Sequence, residues 1–231
     1  MSTLTARKAF TLADAWREFR TYPSPWMILI TLVGALSARI VVGDWQYTDA
    51  LVPLVMIAVF PFFEWLVHVF ILHWRPRRIG RHTVDSLLAR KHREHHMAPR
   101  SVPEIFIPWP ALLWVLPLAI GVALLVFPRI GMGLTFLGFL TVLGLCYEWC
   151  HYLIHSDYKP KTSLYRAIYR NHRLHHFKNE HYWFTVTSSG TADRVLRTYP
   201  DPATVPTSPT AKNLHAGRDA MSTSGGQVAG R

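Results

Sequence analysis

Four long apolar runs divide the chain, each long enough to cross a bilayer as a helix, since about 20 residues at 1.5 Å rise span a hydrocarbon core of about 30 Å. The two cleanest cover residues 107–127 and 130–154, separated only by the turn signal Pro128-Arg129, and predict a helical hairpin. Two earlier runs carry polar interruptions: 26–42 contains Arg39, and 51–74 contains Glu64, His68 and His73. After the fourth run a polar, helix-compatible pattern continues to about Asn179, and HYWFTVTSSG then reads as extended or turn-like. From Pro200 onward Pro, Thr, Ser and Gly dominate, so residues 200–231 are expected to form a disordered tail. The pattern predicts an all-α, multi-pass membrane protein: an N-terminal segment 1–25, a membrane domain 26–199 and that tail.

Basic residues orient the predicted helices, because short cytoplasmic loops collect Lys and Arg. Residues 1–25 hold four (Arg7, Lys8, Arg17, Arg20) and 75–106 hold eight, whereas the connectors 43–50 and 128–133 hold none and one. This alternation predicts four crossings with both termini in the cytoplasm. No cleaved signal peptide is expected, since the first apolar run starts only at Trp26 and others follow.

Composition narrows the class further. Of 231 residues, 50% are hydrophobic and 17% charged, which suits one membrane-embedded domain better than a soluble bundle. The net charge of +11 would suit nucleic acid or a membrane surface equally; its placement beside the apolar runs assigns it to the membrane, and no nucleic-acid partner is expected. Cys146 and Cys150, four apart inside an apolar run, fit neither a disulfide framework nor a zinc finger and are expected as reduced packing residues.

The chemistry lies in the histidines. Ten of 13 fall into two similar sets: His68, His73, His92, His95 and His96, then His151, His155, His172, His175 and His176. Each set begins near the end of a run and finishes in H-x-x-H-H, a motif expected by chance roughly 0.04 times at this chain's histidine frequency. The halves look like an internal duplication. Positions i, i+3 and i+4 share one helical face, so the three imidazoles of each H-x-x-H-H are expected to aim at one place, and His151 and His155 do the same. His68 and His73 lie about 140° apart on an ideal helix, so either that helix is distorted or ends there, or the two approach a metal from different sides.

Rise along the runs at 51–74 and 130–154 places His68 and His151 near the cytoplasmic boundary, where all ten histidines can converge. Ten imidazoles exceed the needs of one ion, which implies two metals with about five ligands each. Imidazole suits Zn, Fe, Cu and Ni alike, and the hydrolytic signatures H-E-x-x-H and H-x-x-E-H do not occur. Glu64 and Glu148, ionisable groups within apolar runs, are expected to accept a ligand's distal N–H; direct coordination and a salt bridge to a loop Arg are alternatives. His181 is a further ligand or donor candidate, whereas His82 and His215 read as packing residues.

The boxes H-x4-H (His68, His73), H-x2-H-H (His92, His95, His96), H-x3-H (His151, His155) and H-x2-H-H (His172, His175, His176), over residues 60–195, resemble those of the fatty acid hydroxylase/sterol desaturase superfamily of integral-membrane oxygenases. The segment WFTVTSSGTADRVLRTY resembles the stretch that follows the family's last box, with Thr187, Ser188 and Asp193 at matching positions and the usual glycine after the aromatic missing. The resemblance implies about four transmembrane helices with a cytosolic helical cap, and a pair of iron ions held by the ten histidines, with zinc able to replace iron on isolation. It also implies O2 as co-substrate, a lipid substrate entering from the bilayer, and Asp193 as a supporting residue. No cytochrome b5-type domain is fused in this sequence, so electrons are expected from a separate donor protein. Hydroxylation or desaturation of a fatty-acyl chain is the expected reaction, with a carotenoid or sterol hydroxylase or desaturase of the same superfamily as the alternative.

Two other classes compete. A membrane metal transporter or sensor would place acidic or histidine residues deep in several spans, yet the runs at 26–42 and 107–127 contain no histidine. A scaffold binding anionic lipid through the basic loops leaves the duplicated boxes unexplained.

Overall fold

The computed structural model describes residues 10–215; Arg7 and Lys8, and the part of the expected tail from residue 216 on, lie outside the described residues. The chain opens with α1 (Leu12–Phe19), started by a reciprocal cap in which the Asp14 amide donates to Thr11 Oγ1 and the Thr11 amide to the Asp14 carboxylate. α2 (Pro23–Val42) begins on a proline and ends at Gly43, whose φ of 65° suits a residue without Cβ. α3 (Leu51–Val67) passes directly into a π-helical turn, His68–Leu72. A two-stranded hairpin, β1 (Arg77–Ile79) with β2 (His82–Val84), pairs Arg78 with Thr83. There follow α4 (Leu87–Met97), α5 (Val102–Ile105), α6 (Trp109–Leu125), α7 (Ile130–His155), α8 (Ser163–Phe177) and α9 (Thr191–Val195). The fold is mostly helical as predicted; the hairpin is an addition that the pattern did not reveal.

Four helices are long and apolar enough to cross a membrane: Pro23–Val42, Tyr47–Leu72, Val102–Leu125 and Ile130–His155. Only 11–33% of each span is buried within the protein, and side chains such as Ile30, Val33, Leu54, Leu118 and Leu125 stand exposed, as lipid-facing residues must. Cys146 is exposed on this surface and Cys150 half-buried, both free, so neither is the buried packing residue expected.

Where helices touch, small residues bring them close. Ala35 of α2, Ala119 and Ala123 of α6, and Leu137 of α7 form one buried cluster. Gly133 lies so near α6 that an added Cβ would sit 1.8 Å from the Ala123 carbonyl oxygen.

The two ends of the bundle differ. At one end Arg39, 2% exposed, donates to the Asp49 carboxylate at 2.6 Å, to Thr135 Oγ1 at 3.1 Å and to the Gly43 carbonyl, while Arg129 pairs with both Asp44 and Asp49. A buried guanidinium needs such a full set of acceptors. At the other end Phe19 packs on Trp149 and Tyr152, Tyr22 stacks on Phe106, and the Tyr152 hydroxyl donates to Glu18 at 2.7 Å. All ten box histidines lie towards this second, aromatic end.

The segment from Pro200 departs from expectation. Residues 200–215 are laid down as turns over the end of α8, with Val205, Ala211 and Leu214 buried. Three apolar anchors in a run of turn formers were too few to register as a pattern, yet they suffice where neighbouring polar groups take the backbone.

Candidate metal centre

Four local structures bring the histidines together. The first is the π-turn. The His73 amide donates to the His68 carbonyl at 3.0 Å, an i→i+5 bond, and widening the turn returns His73 to the face of His68. Of the three options left open by the five-residue spacing, distortion is the one adopted. The second and third are α4 and α8, started by Ser86 and Thr162 side chains that accept from Ala89 and Tyr165 amides. The fourth is the last turn of α7, carrying His151 and His155.

The imidazoles sort into two groups of five, each with its ligand nitrogens within 4.8 Å of one another: His68, His73, His92, His96 and His175, then His95, His151, His155, His172 and His176. These are not the two halves of the sequence. The middle histidine of each H-x-x-H-H crosses to the other group, so the expectation that all three aim at one place is corrected. On a helix, i and i+4 differ by about 40°, whereas i+3 lies about 60° to the other side, so His92 and His96 keep together and His95 diverges. His172, His176 and His175 repeat the geometry. The groups share a wall, with the rings of His96 and His176 stacked at 4.1 Å between centroids.

Protonation makes the groups suited to cations. In the first group the Nδ1 atoms of His96 and His175 lie 2.8 Å from the carbonyl oxygens of Ala211 and Tyr182, and that of His68 faces the Phe184 carbonyl. A carbonyl only accepts, so each Nδ1 carries the hydrogen and each neutral ring turns a lone pair at Nε2 inwards. His68, His92 and His96 bring their Nε2 atoms to 3.1 Å of one another in sequence, and His175 Nε2 is buried with no hydrogen-bond partner among the described residues. In the second group Nε2 atoms approach at 3.2 Å (His95 and His151), 3.0 Å (His155 and His172) and 3.1 Å (His172 and His176). Ligands at about 2.0–2.1 Å from one ion and at right angles stand about 3 Å apart, so the spacing fits a shared metal.

Burial, reinforced by neighbouring imidazoles, holds His73, His92, His95, His172, His175 and His176 well below the usual 6.5. Burial likewise brings His96 to about 4, against the opposing effect of its bond to Ala211. These rings are neutral at neutral pH, the form that binds metal.

The carboxylates act one step further out than expected. Among the described residues the Glu64 carboxylate accepts from no histidine: its oxygens accept from the Val186 amide at 2.7 Å, the Thr187 amide at 3.1 Å and Thr187 Oγ1 at 2.8 Å. Glu148 accepts from the Ile107 amide at 3.1 Å. Neither belongs to a five-nitrogen group, and among the described residues neither accepts from a ligand's distal N–H. Asp193 accepts from the Phe184 amide at 2.8 Å, the Thr185 amide at 3.0 Å, Thr185 Oγ1 at 2.7 Å and Thr198 Oγ1 at 2.8 Å. Thr198 Oγ1 in turn receives Trp65 Nε1 at 2.9 Å, which ties this loop to the helix bearing His68. Ser188 Oγ caps the turn leading into α9. His181 points to Glu180 with its side chain 65% exposed, outside both groups. His82 is exposed on β2, while His215 is an electrostatic neighbour of His73 and His96.

Missed in the sequence were the carbonyls of Tyr182, Phe184 and Ala211, since any residue has one. The aromatic-rich HYWF stretch was the available signal for the first two: Trp183 is 1% exposed at φ 56°, and that turn aims the flanking carbonyls at the rings.

A small cavity reaches both groups. His92 of the first and His151 of the second line it, with Leu72, Ile105, Phe106 and Tyr147 as walls and Lys91 and Glu104 at the rim.

Comparison with known proteins bears on the family and the fold. A family model described as fatty acid hydroxylase matches residues 53–198, well over half of the chain. A solved structure described as full-length Scs7p with only the hydroxylase domain visible is similar in fold, with a TM-score of 0.59 at 22% identity. The match covers 78% of this chain and 65% of that one, slightly less than two thirds of its length. No curated protein matches. With boxes, bundle and family model in agreement, the chain belongs to the fatty acid hydroxylase family.

Proposed function

We propose that the chain is an O2-dependent membrane oxidoreductase that hydroxylates, or desaturates, a C–H position on a lipid acyl chain. On this reading the two histidine groups hold two iron ions, which zinc replaces on isolation, and a separate donor protein delivers electrons. When bound, such a pair supplies reductive use of O2 and removal of hydrogen from an unactivated C–H bond. One observation carries the proposal: ten convergent, mostly buried histidines divided five and five between adjoining groups, in a chain of the fatty acid hydroxylase family.

The chain's own residues bind, orient and exclude water. An acyl chain lying between Leu72, Ile105, Phe106 and Tyr147 would present its methylenes beside His92 and His151, one from each group. The apolar walls keep water away from the reacting carbon. At the rim Lys91 pairs with Glu94 at 2.6 Å and Glu104 at 3.4 Å. Because His68 and His151 sit at the ends of spans, a lipid can reach the cavity without leaving the bilayer. The adjoining segment 75–106, with its eight basic residues, supports a cytoplasmic location for the histidine end and both termini.

The test is lipid extraction from cells making the wild-type chain or a His95→Ala variant, followed by mass spectrometry. Acyl chains carrying an added oxygen, or lacking a pair of hydrogens, are expected only with the wild type. Unchanged acyl chains alongside altered sterols or carotenoids would refute the acyl assignment.

A further inference from the structure

Three histidines of the first group donate to backbone carbonyls, and two of those carbonyls, at Tyr182 and Phe184, lie within the residues that the family model matches. The third, Ala211, lies beyond residue 198 and outside that match. It sits in a segment that sequence pattern alone marks as tail. Resting on the metal-binding reading above, we propose that residues 205–214 are a strap that positions His96 as a ligand, and that Glu180 is the latch that holds the strap in place.

The strap is built, not merely apposed. The Ser208 amide donates to the Lys178 carbonyl at 2.7 Å, and Asn179 Nδ2 donates to the Pro206 carbonyl at 3.3 Å. Ser208 Oγ donates to Glu180 Oε1 at 3.0 Å, and Thr210 Oγ1 donates to the same oxygen. Glu180 is 3% exposed, and Val205, Ala211 and Leu214 are buried on either side of this polar clasp. Burial alone would raise the Glu180 carboxyl, but the Thr210 and Ser208 hydroxyls hold it below the usual carboxylate range, so it stays charged and its hydrogen bonds are of the stronger, charge-assisted kind.

The anchorage explains the effect on His96. Lys178, Asn179 and Glu180 directly follow α8, which carries ligands of both groups, whereas His96 is on α4, from the other half of the chain. The strap therefore holds a ligand of one repeat against the framework of the other. Donation from Nδ1 to Ala211 fixes the tautomer and the ring plane, which leaves Nε2 free for the metal. Glu180 is a positioning residue: two hydrogen bonds, Thr210 to Glu180 and His96 to Ala211, link it to the imidazole, and its effect passes through the Ala211 carbonyl.

The experiment uses the full chain in detergent, loaded with Fe(II). Iron binding is titrated, Mössbauer spectra are recorded, and hydrogen exchange is followed over 205–214. The variants are Glu180→Ala and the triple Ser208→Ala/Thr210→Val/Leu214→Asp, with Thr210→Ser as the rescue that keeps the hydroxyl. Expected are faster exchange of the strap, a roughly 10–100-fold loss of affinity at one of two iron sites and a change in one Mössbauer component, with the second site unaltered and Thr210→Ser like the wild type. A released strap with both affinities and spectra unchanged would overturn the positioning role. A strap still protected in Glu180→Ala would overturn the latch. Equal loss at both sites would mean a general structural role and would also overturn the proposal. If the wild type itself binds no iron, the metal-binding reading fails instead, so the two failures are distinguishable.

Discussion

The Nε2 atoms of His95 and His151 lie 3.2 Å apart, although 56 residues separate them, while His96, the next residue after His95, faces the other group. Adjacent residues thus serve different centres. Removing His95 should therefore damage the group formed by His151, His155, His172 and His176, and removing His175 should damage the group of His68, His73, His92 and His96. Each Ala variant is expected to lose affinity at one site by more than the roughly 10–100-fold typical of a ligand's outer partner. Site-resolved iron titration checks this; a His95→Ala variant weakened only at the His92 site would contradict the crossing.

Asp193 accepts three hydrogen bonds from the loop whose Phe184 carbonyl receives His68, and a fourth from Thr198 beyond α9. In Asp193→Ala those donors lose their common acceptor, at a cost of at least about 1.5–3 kcal/mol for bonds to a charged group. Lower thermal stability in detergent, together with weaker binding at the His68 site, is the expected result. Wild-type behaviour in both would show the loop to be held by other means.

Glu64 meets Val186 and Thr187 rather than a metal ligand. Glu64→Gln retains an oxygen for the two amides and should leave metal binding at both histidine groups unchanged, whereas a coordinating carboxylate would not tolerate the change. A double-mutant cycle of Glu64→Gln with Thr187→Val should give a coupling of about 1 kcal/mol or more, since the hydroxyl and carboxylate are direct partners. Loss of a metal in Glu64→Gln would return Glu64 to the coordination sphere.

The spans and the ten clustered histidines were legible in sequence because both are written in composition: apolar length for the helices and repeated imidazoles for the site. The π-turn was half legible, since the five-residue gap between His68 and His73 demanded some departure from an ideal helix. The exchange of His95 and His175 was not, because the 100° between i+3 and i+4 acquires meaning only once two helices face each other. The partners of Glu64 and Glu148 are illegible in the sequence, because backbone amides 122 and 41 residues away leave no mark in a side-chain pattern. The order in residues 200–215 is hidden for the same reason: their partners are the buried Glu180, the Lys178 carbonyl, the Asn179 amide and the His96 ring, all distant in sequence.

Gly133 sets the spacing of α6 and α7. Gly133→Ala would drive a Cβ to 1.8 Å from Ala123 O, so the hairpin must open, at an overpacking cost of about 1–3 kcal/mol. Gly138→Ala is the control, with its nearest neighbour, Leu36 Cδ2, at an ordinary 3.6 Å. Thermal melts of the two variants should differ, with Gly133→Ala the lower; equal melting would show that the helices adjust without loss.

The exchange of one histidine between the repeats also bears on biosynthesis. As the polypeptide emerges, the group that takes most of its members from the earlier repeat has only four of its five nitrogens until His175 is made, whereas the later repeat brings its four to a His95 that already exists. Neither repeat completes a five-nitrogen group on its own, so a translation product that stops before His175 carries no full group.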